Sequence, residues 1–493
     1  MVFQRKYLLP LLHYETYFIN DPYDVAIYTL CKHKLYMDKS FKASAERIFD
    51  RILKDIKPSP AEVQDTTYRA NSLMDIMGKI VPKDVELRIV GSISRGTNLK
   101  GDADIDIFML FSKAYKKDRL VKLGLEYGKK AARLAKGTCE IKYAEHPYIR
   151  LYLKSAGLKA DIVPASKIAE IGEMATTVDR TPFHTEFINS NLSDRQRDEV
   201  RVLKYFLKVH HIYGAEVKTG GFSGYLCELL IHQYGSLAKL LESASSFKQP
   251  LILDPLFKKE ITDGERQKKF ASNFVVVDPV DANRNVAAGV STESLTRFMI
   301  ISRQFVSKPS ISLFYREKFA SPQAHQLLSK FIKESGLETF IITATVPEKS
   351  EDVIFPQLRK VAGNIGDHLR KKGFDIYFNL PFVRGKSGII LLMAPRQRLT
   401  SRVLKGPSVF VADASRHFAM GHQKALGFFV SESAIHALEK AKHPTIVSAL
   451  EDLPANMRFH KDINLRKSKV IHNRIPKEME FDAYCELLKK ITI

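Results

Sequence analysis

The chain has 493 residues, and its 77 Lys and Arg outnumber 55 Asp and Glu, for a formal net charge of +22. Its 45% hydrophobic content suits folded domains, about three or four at ~100–200 residues each, and excludes disorder as the main state. No run reaches the ~20 apolar residues of a membrane span, and a cationic excess spread along the chain points to a polyanionic partner such as nucleic acid.

Residues 1–36 are rich in Tyr, Leu and His and lack a clean period. They read as an extension with little structural duty, ahead of a second methionine, Met37, and the helix-start signature Asp38-Lys39-Ser40. The run Tyr7-Leu8-Leu9-Pro10-Leu11-Leu12 is broken by proline and followed by His13 and Glu15, too short for a signal peptide. From Lys39 to about Ile80, Ile48, Ile52, Ile56, Leu73, Ile76 and Ile80 recur at helical spacing. Leu87 to Val90 alternates as a strand and runs into the turn Gly91-Ser92. Asp104 to Phe111 reads as a buried strand and Leu120 to Leu134 as a helix. Short strands are expected at Glu140–Tyr143, Tyr148–Leu153 and Leu158–Val163. Helices are expected to dominate from about Arg195 to Arg303. Strands return at Thr339–Ile342, then a helix from about Phe355 to Lys372 and strands at Phe374–Phe378 and Gly388–Met393, a β-α-β-β order that predicts a small sheet with helices on one face. The last ~90 residues mix short elements. Cys31, Cys139, Cys227 and Cys485 are widely spaced without a CxxC pair, which argues against a zinc ribbon or disulfide framework and for a reduced, cytoplasmic protein.

The chemistry is concentrated between Gly91 and Ile107. In a strand, Asp104 and Asp106 share one face while Ile105 and Ile107 share the other. Two same-face carboxylates with apolar flanks repel one another unless a hard cation lies between them, and oxygen ligands suit Mg²⁺. Gly91-Ser92 supplies backbone and hydroxyl donors for an anion. A third carboxylate, Asp161 in Leu158-Lys159-Ala160-Asp161-Ile162-Val163, would complete a set able to hold two ions ~3.5–4 Å apart, with Asp161 at the attacking 3′-hydroxyl. This is the layout of phosphoryl or nucleotidyl transfer. Three other patterns are read as structural. Gly385-Lys386-Ser387 lacks the P-loop glycine, Leu380 standing in its place. His417 and His422 have no third ligand nearby, and His210-His211 closes a helix, where imidazolium suits the dipole.

The strand-turn-strand resembles the DNA polymerase β-like nucleotidyltransferases. Tyr143 to Tyr148, Val178 to His184, Arg201 to Lys208, Ile212 to Glu216, Gly221 to Leu230 and Val277 to Ala288 resemble the archaeal CCA-adding enzymes, class I tRNA nucleotidyltransferases. The resemblance is dense from Gly91 to about Phe305 and looser beyond. Absent before Met37, and so leaving the extension over 1–36 aside, it implies an α+β multidomain protein: a polymerase β-like catalytic head over 37–180, a helical neck with the nucleotide pocket over 181–305, a small β-α-β-β body over 306–400 and a mixed, tRNA-contacting tail over 401–493. It further implies addition of C, C and A to tRNA from CTP and ATP without a template, by a homodimer. Ser92, Lys204 and Tyr213 would hold the triphosphate with help from Thr181 and His184, with Arg95 among the nucleotide-binding residues, and Arg284 would read the base with His146 nearby. A poly(A) polymerase or other terminal nucleotidyltransferase is the alternative within the class, and a non-catalytic basic RNA-binding protein the alternative outside it.

Overall fold

A computed structural model describes residues 39–102, 104–143, 147–153, 157–256, 259–260, 269–315, 321–453, 462–463, 465 and 470–491. The extension expected over 1–36 and His146 lie outside the described residues.

Two helices occupy the first helical stretch, α1 (Lys39–Ile56) and α2 (Pro60–Gly78). The break is chemical. Pro60 sits at the start of α2, where its missing N–H costs nothing, and Ser59 and Glu62 form a reciprocal capping box. The strand β1 (Glu86–Val90) leads into a single helical turn, α3 (Gly91–Ser94), and β2 (Asp104–Phe111) follows. Then come α4 (Lys117–Leu134), β3 (Thr138–Tyr143), β4 (Pro147–Leu153) and β5 (Leu158–Ser166). The five strands form one sheet in the order β1-β2-β5-β4-β3, with only the β2–β5 pair parallel. One face carries Ile105, Ile107, Ile149, Leu151, Ala160 and Ile162, all fully buried, and packs against α2 and α4. Helix α4 approaches closely because Gly124 and Gly128 lack side chains where Pro164 and Ile149 sit.

The neck is built from α5 (Thr181–Asn191), α6 (Asp194–Val209), α7 (Gly224–Tyr234), α8 (Leu237–Ala244) and, after a small sheet, α9 (Thr292–Ser307). That sheet, β7 (Lys259–Glu260), β6 (Leu251–Asp254) and β8 (Phe274–Val276) in this spatial order, interrupts the stretch from 195 to 303 in which helices were expected to dominate and do. Strands β6 and β8 are short, buried and largely apolar, which periodicity alone does not separate from helix. Helix α1 also departs from expectation. Its Phe41, Phe49, Ile52 and Ile56 join the neck core with Phe206, Phe305 and Phe314, and Phe49 stacks on Phe305 at 5.6 Å between centroids.

Beyond α10 (Ser321–Ser335), the body sheet contains β9 (Leu337–Thr345), β10 (Phe378–Arg384) and β11 (Ser387–Pro395), with α11 (Glu351–Lys371) between β9 and β10. The strand expected at Phe374–Phe378 begins only at Phe378. Gly385 and Lys386 make the β10–β11 hairpin turn, Gly385 taking the left-handed φ of +56°. The following β12 (Ser401–Ser408), α12 (Ala412–Gly421), β13 (Gly427–Ser431) and β14 (Ala434–Lys440) form a separate three-stranded sheet, order β12-β14-β13. The chain then returns to the body through α13 (Ile446–Glu451), β15 (Val470–His472) and α14 (Lys477–Ile491). Strand β15 adds to the free edge of β9. Helices therefore cover both faces of the body sheet, α11 and α13 on one and α10 and α14 on the other, where one covered face was expected. No helix among the described residues is long and apolar enough to cross a membrane.

Candidate active site

The face of the head sheet turned away from α2 and α4 carries the charged residues. Ladder register sets them in one row across four strands: Val90 opposite Asp106, Asp106 opposite Asp161, and Asp161 opposite Arg150. Asp104 lies two positions along β2, opposite Lys159. The alternation read from Asp104-Ile105-Asp106-Ile107 therefore holds, with both isoleucines fully buried on the other side.

The turn α3 presses directly on this row. Gly91 has φ of +78°, and a Cβ built on it would overlap Asp106 Oδ2. Only glycine fits, both for the left-handed backbone and for the approach to the carboxylate. Ser92 follows it in the same turn. Burial first, then the neighbouring Asp161 carboxylate, push Asp106 up to about 7, and burial also raises Asp104. Clustered carboxylates that resist ionisation together are the electrostatic complement of a cation. Among the described residues no group of three or more His, Cys, Asp or Glu side chains is closed around one site, and Asp161 gives both oxygens to Arg150, at 2.7 and 2.6 Å. The oxygen-only donors, their repulsion and the missing side chain at Gly91 fit a hard divalent cation.

Beside the row lies a buried polar cluster. Glu228, fully buried on α7, receives Arg95 Nε at 3.0 Å and the Thr97 hydroxyl at 2.5 Å. Lys204 Nζ donates to Thr97 O at 3.1 Å and stands 3.6 Å from Glu228. Burial alone would raise Glu228, but Arg95 and Lys204 together hold its carboxyl below the usual range. Burial pulls Lys204 below the usual lysine range, against the attraction of Glu228. Both lie by the start of α7, where a Cβ on Gly224 would meet Tyr213 Oη at 3.2 Å and Lys204 Nζ at 3.5 Å. Lys204, Tyr213 and a helix N-terminus thus converge, an arrangement suited to an anion.

A third group lies in the neck. His184 stacks on Tyr225, 4.0 Å between ring centroids, and its Nε2 is 2.9 Å from Asp278 Oδ2. Arg284 donates to the same oxygen at 2.8 Å, and the Tyr225 hydroxyl donates to Oδ1 at 3.1 Å. Burial alone would raise Asp278, but His184, Arg284 and the Val280 amide take it down to about 2. Thr181 opens α5 one turn before His184. Next to this group a cavity of about 510 Å³ is lined by Arg180, Ser223, Asp281, Arg284, Asn285 and Gly289.

The structure brings together Asp104, Asp106 and Asp161, then Arg95, Lys204 and Tyr213, then His184 and Arg284. The sequence reading missed Arg150, Glu228 and Asp278. Glu228 had a signal, the single charge inside the apolar run Tyr225-Leu226-Cys227-Glu228-Leu229-Leu230. Arg150 and Asp278 needed strand register and loop geometry.

Known proteins resemble the chain along most of its length. Three family models match in succession: a nucleotidyltransferase domain over 71–188, the second domain of tRNA nucleotidyltransferase over 198–315 and the C-terminal domain of CCA-adding enzyme over 335–467. The CCA-adding enzyme of Methanocaldococcus jannaschii is 34% identical over 90% of this chain and 99% of its own length. Those of Methanothermobacter thermautotrophicus and Pyrococcus abyssi are 32% and 31% identical, over 85% and 89% of this chain and 91% and 97% of their own. Among solved structures, that of the poly(U) polymerase Cid1 aligns with 56% of this chain and 99% of its own at 16% identity and a TM-score of 0.46. The relatives agree along nearly their whole lengths, from the carboxylate strand to the C-terminal domain, and the chain belongs to the archaeal CCA-adding enzymes, the class I tRNA nucleotidyltransferases.

Proposed function

We propose that the face of the head sheet turned away from α2 and α4 is where this chain performs the reaction of its family, template-independent addition of C, C and A to the tRNA 3′ end from CTP and ATP. The alignment of Asp106 with Asp161 across two parallel strands, pressed by Gly91, carries this assignment. Asp104, Asp106 and Asp161 would hold the divalent ions, with Mg²⁺ the expected metal. Such an ion, when bound, supplies Lewis acidity toward the phosphates and acidifies an attacking hydroxyl.

The protein groups divide the remaining work. Ser92 and the α3 amides bind the phosphates nearest the carboxylates, and Lys204, Tyr213 and the α7 N-terminus bind the far end of the triphosphate. Burial keeps Tyr213 raised and therefore a neutral donor. Glu228 anchors the Arg95 and Lys204 side chains, so their positions are set before substrate arrives. Asp161 stands nearest the incoming 3′-hydroxyl and is suited to take its proton. Asp278 occupies one Arg284 nitrogen and leaves the rest of the fork facing the 510 Å³ cavity, where it reads cytosine or adenine. Thr181 and His184 flank the nucleotide between these groups. The excess positive charge draws the tRNA backbone, and binding weakens with salt. We further propose that the enzyme acts in the cytoplasm as a homodimer, the dimer being checked by light scattering of the purified protein.

The base-reading assignment is tested with Arg284→Ala. Incorporation from both CTP and ATP is expected to fall roughly 100-fold, while affinity for tRNA lacking CCA stays within about threefold. Loss of tRNA affinity with unchanged nucleotide use would overturn it.

A further inference from the structure

The row of charges does not stop at Asp161. Its next member, Arg150 on β4, grips Asp161 with both arms of its guanidinium, and both side chains remain reachable from solvent, at 26% and 12% exposure. Every oxygen of a prospective metal ligand is thereby held by a cation from the protein itself. A divalent ion at Asp161 must displace that grip, at least in part. The displaced guanidinium then needs another anion, and its planar fork matches a phosphate as well as a carboxylate.

The fold says which phosphate. Reading along the row, Gly91 and Ser92 adjoin the Asp106 end, and the cluster of Arg95, Thr97 and Lys204 continues from that side. The triphosphate and its departing pyrophosphate belong there. In an in-line displacement the attacking oxygen arrives opposite the leaving group, hence from the side of Asp161 and Arg150. What arrives from that side is the 3′ end of an RNA strand, whose last phosphodiester trails its attacking hydroxyl.

Resting on the carboxylate assignment above, we propose that Arg150 is an exchange residue: it holds Asp161 in the metal-free enzyme and transfers to a backbone phosphate of the tRNA 3′ end when a divalent ion takes Asp161. The exchange couples RNA arrival to metal binding. Without RNA the released guanidinium has no partner and opposes the ion. With RNA the two bind together. Lys159, opposite Asp104 in register, adds a second positive charge to the same approach.

The test uses the full-length enzyme, Mn²⁺ as the probe ion and a tRNA transcript ending before CCA. Mn²⁺ binding is measured by electron paramagnetic resonance with and without that transcript. In Arg150→Ala and in the near-isosteric Arg150→Gln, Mn²⁺ affinity without RNA is expected to rise about fivefold, the gain in affinity on adding tRNA to vanish, and KM for tRNA to rise about tenfold. Arg150→Lys, which keeps charge but loses the fork, is expected to fall between. Unchanged or weakened Mn²⁺ binding in both Arg150→Ala and Arg150→Gln, or an unchanged KM for tRNA, overturns the exchange. Asp161→Asn separates this from the reading beneath it. Loss of Mn²⁺ binding there upholds the carboxylate assignment whatever Arg150 does, and retained binding removes that assignment and the exchange with it.

Discussion

The head and body sheets are built from the same materials and differ in what covers them. The body sheet has helices on both faces, and its central strand β11 is buried along almost its whole length, from Gly388 to Ala394. A strand enclosed on both sides reads as an unbroken apolar run. In the head sheet β2 and β5 alternate at their entrance, with Asp104, Asp106 and Asp161 on the face turned away from α2 and α4, and farther along the strands that face is closed by Val90, Phe108, Leu110, Val163 and Ala165. Carboxylates at that entrance replace a packing layer with a charged floor. Substitutions in the two sheets should accordingly fail in different ways.

The largest effect is expected at Asp106. Asp106→Asn should lower kcat by at least roughly 1,000-fold with tRNA affinity nearly intact, since it removes charge from the floor and no packing volume. Single-turnover incorporation beside a filter-binding titration measures both, and residual activity within tenfold of wild type would erase the contrast between the sheets. Gly91→Ala comes next. The new methyl overlaps Asp106 in a backbone conformation that disfavours side chains, so activity should drop about 10–100-fold, with a modest fall in melting temperature. Ile390→Ala on β11 should behave oppositely, costing about 2–5 kcal/mol of stability in denaturant titration and leaving kcat/KM of the folded enzyme unchanged.

The smallest effect concerns acid. Asp278 is brought from 3.8 to about 2, so the folded neck prefers it ionised. Its contribution is complete above pH 3.8 and disappears as pH falls toward 2, an order of ~2 kcal/mol. Asp278→Asn should flatten the wild-type decline of melting temperature across that interval. An equal decline in both proteins would place the acid sensitivity elsewhere.

Much of the head was readable because its signals are local. Alternation at Asp104 to Ile107 put the two aspartates on one face, and the Gly91-Ser92 punctuation after β1 placed the turn, which proved to be a helical one. What escaped depends on distance along the chain. Helix α1 has an ordinary amphipathic pattern, and nothing in it says that Phe49 will meet Phe305 rather than the head. The fourth body strand, Val470–His472, is three residues long and acquires meaning only beside β9. Arg150 is one basic residue among 77 until register sets it against Asp161.

The three-stranded sheet of β12, β13 and β14 leaves the body after Pro395 and comes back before Ile446, and the two crossings are stitched together, Leu399 N–H to Pro444 O at 2.9 Å and Ala441 N–H to Thr400 O at 3.0 Å. A module on a single cord can swivel freely. One carried on a paired ribbon can bend across the ribbon's flat side but resists twisting about its length. Phe410 beyond β12 and Phe428 and Phe429 on β13 are exposed on this module, and the two stitched crossings limit how far it can turn about the ribbon.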